Sequence, residues 1–159
     1  SVARGGELLP EVREVIALIA EHELVLATGH SSAEEVLMLL REGRRQGVDH
    51  MVVTDAMNAP IQMSISQMQE ASRLGAFIEF VGSTPLANDA GARYDRFAEA
   101  IRAIGPEFCI LSTDLGPAGN PPPVGGFAGL LAAMRARGFS AQAIDRMAKE
   151  NPARLLGLR

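Results

Sequence analysis

Cysteine, lysine and long apolar runs are scarce in this 159-residue sequence, and each scarcity excludes a class of protein. The single cysteine, Cys109, cannot form an internal disulfide, and its apolar surroundings predict a buried, inert thiol. No run of about 18 apolar residues occurs, so we expect no membrane span and no membrane partner. The only lysine is Lys149, so no Schiff-base lysine lies in a predicted strand.

A basic surface and a targeting signal are missing as well. The net charge of −4 and the pI of about 5.4 argue against a nucleic-acid partner. Residues 1–6 do not form an apolar stretch behind basic residues, so no signal peptide is expected and a cytoplasmic location fits. Neither a phosphate-binding glycine loop nor a G-x-S-x-G nucleophile elbow occurs in the sequence.

What the sequence has is a regular alternation of apolar and amphipathic segments. Strands are predicted at residues 24–28, 51–54, 76–81 and 108–112. Helices are predicted at residues 10–22 and 92–104 and in two closing segments, 127–137 and 141–150. Another predicted helix begins at a capping box at Ser32 and ends near residue 46, and a further one begins after Ser64 and ends at residue 75. Strands that are apolar on both faces predict a parallel sheet covered by helices. The fold class is therefore α/β, in one domain over residues 1–159.

Four strand–helix units leave a sheet with two open edges, which folded proteins normally protect. One solution is an open, doubly wound sheet that binds a small ligand at its switch point. The other is half of a TIM-like (β/α)8 barrel with C-terminal helices, completed by a missing segment or by a second copy of the chain.

Polar residues stand where the predicted strands end, which is where parallel β/α folds place their active residues. His30, Asp55 and Asp114 follow the first, second and fourth strands, and Glu79 lies inside the third. Side chains alternate along a strand, so residues an even number of positions apart share a face and form a row. Each of the four polar residues falls in a row with an apolar strand residue: His30 with Leu26, Asp55 with Met51, Glu79 with Phe77, and Asp114 with Ile110. We expect each of these rows to face one interior.

One imidazole and three carboxylates are the ligand types of a divalent metal site. Such a metal activates a bound water, and an aspartate beside that water can act as general base. Structural roles are open too, because Asp55 and Asp114 are suited to capping turns and His30 to a loop hydrogen bond. Glu79 is harder to explain, since a carboxylate in an apolar strand needs a partner or a cavity.

Loops that follow the strands supply candidate substrate-binding residues. Asn58 follows the second strand and Asn120 the fourth, while Thr84, Asn88 and Asp89 follow the third. Together with Glu79, we expect Asn58 and Asn120 to contact a small-molecule substrate. His22 and His50 precede strands, at the opposite end of the sheet, and are not expected to be ligands.

Three segments in order resemble the amidohydrolase superfamily. Residues 27–35 (ATGHSSAEE) resemble the unit that carries the third metal histidine, and residues 110–116 (ILSTDLG) the last strand, whose aspartate binds metal and activates water. Residues 151–158 (NPARLLGL) resemble the terminal helix. The resemblance covers residues 5–159 but only the second half of the family's barrel. It implies a metal-dependent hydrolase in which metal-activated water attacks an amide, lactone or ester bond.

The resemblance also implies the site residues. His30 and Asp114 correspond to metal ligands, with Asp114 also the catalytic base, and the metal would be zinc, with manganese or iron as alternatives. Asp55 stands where the family has a histidine and corresponds to a substituted ligand. The family's first-strand His-x-His and its mid-barrel lysine have no counterpart here. Two interpretations follow. The chain is part of an enzyme and lacks the N-terminal half of its barrel, or it is a non-catalytic half-barrel that self-associates or binds a small ligand.

Overall fold

The strands and helices of the chain alternate as the sequence predicts. The structure is a computed structural model that describes residues 1–82 and 90–158. Its strands are β1 (Ala3–Arg4), β2 (Glu7–Leu8), β3 (Leu26–Ala27), β4 (Met51–Val53), β5 (Ala76–Val81) and β6 (Cys109–Ser112). Its helices are α1 (Pro10–Glu21), α2 (Ala33–Arg45), α3 (Ile65–Arg73), α4 (Ala90–Ile104), α5 (Pro123–Ala136), α6 (Ala141–Asp145) and α7 (Asn151–Leu155). A 3₁₀ helix (Pro106–Phe108) precedes β6, and a π-helical turn (Arg146–Glu150) joins α6 to α7.

Strands β3 to β6 form one parallel sheet whose spatial order is the order of the chain. A doubly wound sheet reverses its strand order at a switch point, and this sheet has no such reversal in its four described strands. Sequential order is the arrangement of strands in a β/α barrel. The described chain is therefore an α/β fold consistent with half of such a barrel.

The two faces of the sheet differ sharply in what covers them. On one face, sheet residues such as Val53 and Ile78 pack into the main core together with helix residues such as Leu40 and Phe97. On the other face the second cluster is small; its buried members are Val52, Phe77, Ile110 and Leu155. Among the described helices, only α7 contributes a residue to this second cluster, through Leu155. The rest of that face is the surface that would point into a barrel, and we call it the open face.

Helix starts are set by local hydrogen bonds that the sequence partly reveals. The side chain of Ser32 accepts a hydrogen bond from the backbone N–H of Glu35, and the Glu35 carboxylate accepts one from the Ser32 N–H, as the predicted capping box requires. Ser64 and Gln67 form a second capping box at the start of α3. Its Ser-x-x-Gln pattern is present in the sequence, which alone would have predicted this capping box.

Two boundaries and one unpredicted hairpin are the clearest differences from the sequence prediction. The first sheet strand, β3, has two residues because it is an edge strand that pairs with β4 alone. Helix α5 begins at Pro123, earlier than predicted, since proline is well suited to the first turn of a helix. The hairpin β1–β2 was not predicted; Gly5 and Gly6, both at positive φ, form its turn.

No helix in the described ranges is both long and apolar enough to cross a bilayer.

Candidate active site at the strand ends

A cavity of about 250 Å³ lies at the carboxyl end of the parallel sheet. Its lining includes all four ionisable residues that the sequence placed at or near the strand ends. The lining residues are His30, Thr54, Asp55, Glu79, Val81, Ser112 and Asp114. These side chains come from all four strand–helix units, so the fold brings together residues that are up to 84 positions apart (30 to 114).

The backbone turns sharply after three of the four strands. In each case a threonine is followed by a residue with left-handed φ: Gly29 at 59°, Asp55 at 48° and Asp114 at 48°. Aspartate tolerates this region better than most residues, and glycine has no penalty there. The left-handed residues end the extended backbone, so the alternation of side chains stops at that point.

This turn explains an error in the predicted side-chain rows. Leu26 and Met51 pack in the helix-side core, so the rows assigned to His30 and Asp55 do not face the open face. Phe77 and Ile110, which mark the rows of Glu79 and Asp114, do lie on it. His30 and Asp55 nevertheless reach the cavity, because each lies at or after a left-handed residue and no longer follows the strand's alternation.

Asp55 is the most constrained of the four ionisable residues. Its backbone N–H donates to Glu79 Oε2 at 3.2 Å, and its Oδ1 accepts a hydrogen bond from Asn58 Nδ2 at 2.6 Å. Burial raises the pKa of the Asp55 carboxyl, and the hydrogen bond from Asn58 opposes that shift. The charges of Glu79 and Asp114 raise this pKa further, whereas His30 lowers it. The other three ionisable groups therefore act electrostatically on Asp55.

Glu79 resolves the problem of a carboxylate inside an apolar strand. It is half-buried on the open face, and its side chain finds a partner in the backbone N–H of Asp55. The Glu79 carbonyl also accepts a hydrogen bond from the N–H of Ala56 at 3.1 Å. Glu79 therefore links β5 to the turn that follows β4, and its expected contact with substrate stays a prediction.

The donors are of the right types for a divalent metal but do not form a closed coordination shell. His30 and Asp114 are exposed at the mouth of the cavity, while Asp55 and Glu79 are half-buried. Within residues 1–82 and 90–158, no three His, Cys, Asp or Glu side chains are close enough together to hold a metal ion. Carboxylate and imidazole donors suit zinc, manganese or iron, but the described part of the chain does not gather three of them around one point.

Two hydroxyl residues, Thr54 and Ser112, complete the lining of the cavity, and neither was predicted as a site residue. Ser112 Oγ is buried and has no hydrogen-bond partner among the described residues. Thr28 Oγ1 accepts a hydrogen bond from the N–H of Thr54, which joins the ends of β3 and β4. The signal for Ser112 was present, because it belongs to the Asp114 row and is the last residue of its strand.

The other candidate residues divide into those near the cavity and those away from it. Asn58 is next to Asp55, as described above. Asn120 is half-buried, its N–H donates to Pro117 O at 3.2 Å, and it is not part of the cavity lining. Thr84, Asn88 and Asp89 lie outside the described residues.

Cys109 is buried as the sequence predicts, and the two remaining histidines lie away from the cavity at the strand ends. Cys109 is fully buried, and burial raises the pKa of its thiol, as expected for an inert cysteine. His50 lines two cavities next to Asp49, before β4, at the end of the sheet opposite Asp55. His22 follows the last residue of α1 and lines neither.

Comparison with known proteins gives one result. Residues 1–79 match a family of unknown function, DUF6282. The match ends inside β5, so it includes His30, Asp55 and Glu79 but does not reach Asp114. No curated protein and no solved structure matches the chain.

Proposed function

We propose that this chain provides one half of the active site of a metal-dependent hydrolase. The observation that carries the proposal is the cavity at the carboxyl ends of the four parallel strands, which is lined by an imidazole and three carboxylates. Carboxyl ends are where parallel β/α folds build their sites. The resemblance of residues 27–35, 110–116 and 151–158 to the amidohydrolase superfamily supports the same function.

In this proposal His30, Asp55 and Asp114 are the metal donors. A divalent ion held there, zinc or alternatively manganese or iron, would act as a Lewis acid and lower the pKa of a bound water. Asp114 is exposed at the mouth of the cavity, where its carboxylate can accept a proton from an attacking water. The substrate is a small molecule with an amide, lactone or ester bond.

The donors of this chain need a complement. They come from four adjacent strand–helix units of one sheet, and in the described residues no three of them converge on one point. The resemblance points the same way, since the family's first-strand His-x-His and mid-barrel lysine have no counterpart in this sequence. We propose that a second β/α half, from a longer chain or from another copy, supplies the remaining ligands.

The test is metal binding by the full chain and by two matched variants. Asp114→Asn removes one donor and keeps a residue that accepts left-handed backbone. Asp49→Asn is the control, because Asp49 is exposed (its side chain is 82% accessible) and lies at the other end of the sheet. We expect Zn²⁺, titrated into chelator-treated protein, to bind saturably to the wild type and to Asp49→Asn, with the weak affinity of an incomplete ligand shell, and this binding to be lost in Asp114→Asn. If Zn²⁺, Mn²⁺ and Fe²⁺ all fail to bind the wild type, or if Asp114→Asn binds as the wild type does, the proposal is wrong for this chain.

A second candidate function is a non-catalytic half-barrel that self-associates. The N–H groups of Leu26 and Thr28 donate to the carbonyls of His50 and Val52, so by alternation the backbone groups of Val25 and Ala27 point away from the sheet. Val15, Leu18 and Leu24 are each more than half exposed and lie just before this edge strand in the chain. Sedimentation velocity tests this function: a dimer that Leu18→Glu dissociates supports it, and a monomer at all concentrations contradicts it.

A further inference from the structure

Another cavity lies at the amino ends of the parallel strands, opposite the candidate active site, and we call it the amino-end cavity. Its volume of about 440 Å³ is within the range of pockets that bind small molecules. Three of its lining residues, His50, Gly75 and Phe108, each stand just before one of the strands β4, β5 and β6. Arg154 of α7 and Leu158, which follows that helix, form the other wall.

Arg154 brings an unpaired positive charge to this cavity. Its guanidinium carbon lies over the ring of Phe77, 5.4 Å from the ring centroid. Among the described residues the guanidinium makes no ion pair and no hydrogen bond, so its N–H donors have no protein acceptor. The contact with the ring restricts the position of the guanidinium. A guanidinium that is held in this way and keeps its donors free is suited to a carboxylate, to which it can donate two parallel hydrogen bonds.

The other ionisable residues of the lining do not cancel this charge. His50 is half-buried, and its imidazole makes no hydrogen bond with a described residue. Asp49, the one acidic residue among the described lining residues, has a side chain that is 82% exposed and has its own partner in Arg44, at 3.8 Å. The amino-end cavity therefore favours an anionic ligand, in contrast to the cavity at the carboxyl ends, which is lined by three carboxylates.

The rest of the lining favours a ligand that also has an apolar body. Phe108 is half-buried, and Leu158 is 62% exposed, so both still present apolar surface to solvent. Gly75 and Gly157 have no side chain to fill the space between them, and a Cβ at Gly157 would lie 3.9 Å from His50 Nε2. A ring placed in this space would remove apolar surface of the protein from water, which a simple anion would not do.

We propose that the amino-end cavity binds a small aromatic carboxylate. The carboxylate pairs with the guanidinium of Arg154, and the ring packs against Phe108 and Leu158. The imidazole of His50 supplies a further N–H donor on the opposite wall. This site is independent of the proposed hydrolase function, because none of its lining residues lines the cavity at the carboxyl ends.

The test is an NMR titration of the isotope-labelled full chain with benzoate as the probe. Benzamide is the matched neutral control, since it keeps the ring and replaces the carboxylate, and inorganic phosphate tests for a site that takes any anion. We expect benzoate to shift the backbone amide signals of His50, Gly75 and Gly157 saturably. It should bind at least about tenfold more tightly than either control, because hydrogen bonds to charged groups are stronger than neutral ones and phosphate has no ring. If benzoate does not bind, or if benzamide or phosphate binds as tightly, the proposal is wrong.

Variants at Arg154 test its contribution separately. Arg154→Gln removes the charge but keeps a polar side chain, and it should weaken benzoate binding by at least about tenfold. Arg154→Lys keeps the charge without the two-pronged donor group and should retain part of the affinity. Arg135→Gln is the matched control, because Arg135 is exposed on α5 and does not line the cavity, and it should bind benzoate as the wild type does.

The far-ultraviolet circular dichroism of each variant shows whether it is folded. A folded Arg154→Gln that binds benzoate as tightly as the wild type would overturn the proposal. If Arg154→Gln does not fold, the comparison of benzoate, benzamide and phosphate on the wild type still decides whether the site takes an aromatic carboxylate.

Discussion

Asn151 allows a stability prediction that follows directly from the contacts of one side chain. Asn151 is fully buried at the start of α7. Its Nδ2 donates to the carbonyls of Pro106 and Cys109 at 2.8 and 2.7 Å. Two carbonyl acceptors fix the orientation of the amide, because the flipped amide would place its oxygen against both. The contact holds the C-terminal helices on the first residue of β6.

The cost of Asn151→Ala can be worked out contact by contact. The Pro106 carbonyl keeps a second donor, the N–H of Cys109, so losing the Asn151 donor there costs about 1 kcal/mol, the net contribution of an ordinary hydrogen bond. The Cys109 carbonyl is left without this donor, which costs about 1–3 kcal/mol. Asn151 Oδ1 has no partner in the described chain, so removing it returns part of that cost. We expect a net loss of about 2–3 kcal/mol in the free energy of unfolding.

Asn151→Asp sharpens the test because it keeps the shape and removes the donor. A carboxylate here would face two carbonyl oxygens in a buried site, so we expect a loss of more than about 3 kcal/mol. Gln142→Ala is the control, since it removes an exposed side-chain amide from α6 and should change stability by less than about 0.5 kcal/mol. Urea unfolding of the three variants measures all of these values. If Asn151→Ala costs less than about 1 kcal/mol, or Asn151→Asp is no worse than Asn151→Ala, then these hydrogen bonds do not anchor the C-terminal helices.

Four further predictions concern single groups. Asp114→Ala should lose about 1–2 kcal/mol of unfolding free energy because φ at this position is left-handed, and Asp114→Asn much less, as denaturant unfolding would show. The raised pKa of Asp55 disfavours its charged form in the folded state, so Asp55→Asn should be more stable than wild type at pH 7, and the difference should disappear as the pH falls below about 3.8. Hydrogen bonds from Ser1, Ser32 and Val2 lower the pKa of Glu35 to about 2. The free energy of unfolding of the wild type should therefore decrease as the pH falls from about 5 to 2, and Glu35→Gln should lack this decrease; denaturant unfolding across that pH range measures both. The Cys109 thiol should react with a disulfide reagent only on unfolding, and reaction in native protein would contradict its burial.

The fold was predictable where one local signal decided it. Four apolar runs separated by helical segments were enough for a parallel sheet, since strands covered on both faces lose their polar alternation. The capping box at Ser32 located the start of α2 to the residue. The hairpin β1–β2 was not predictable in this way, because strands of two residues carry no periodicity.

The site was predictable in its residues but not in its geometry. A polar residue at the end of each apolar run identified His30, Asp55 and Asp114, and the structure places all three around one cavity. The direction of their side chains depends on φ at Gly29, Asp55 and Asp114, and an aspartate adopts left-handed or extended backbone without a change in sequence. The Asn58–Asp55 hydrogen bond was unreadable for the same reason, since it exists only once this turn has formed.

The four-stranded, open sheet explains why the described residues include suitable donors but do not gather three of them around one point. A closed barrel surrounds the centre of its mouth with eight strands, so ligands from opposite strands can meet across it. Four adjacent strands carry donors on one wall only, and in the described residues no three of those donors converge. Asp55 nevertheless has one oxygen held by Asn58, and its N–H held by Glu79, within this chain. The orientation of individual donors is therefore built into this half, whereas closing the shell around a ligand requires an opposing surface. Addition of a separately folded complementary half should accordingly raise metal affinity while leaving the Asn58–Asp55 contact unchanged.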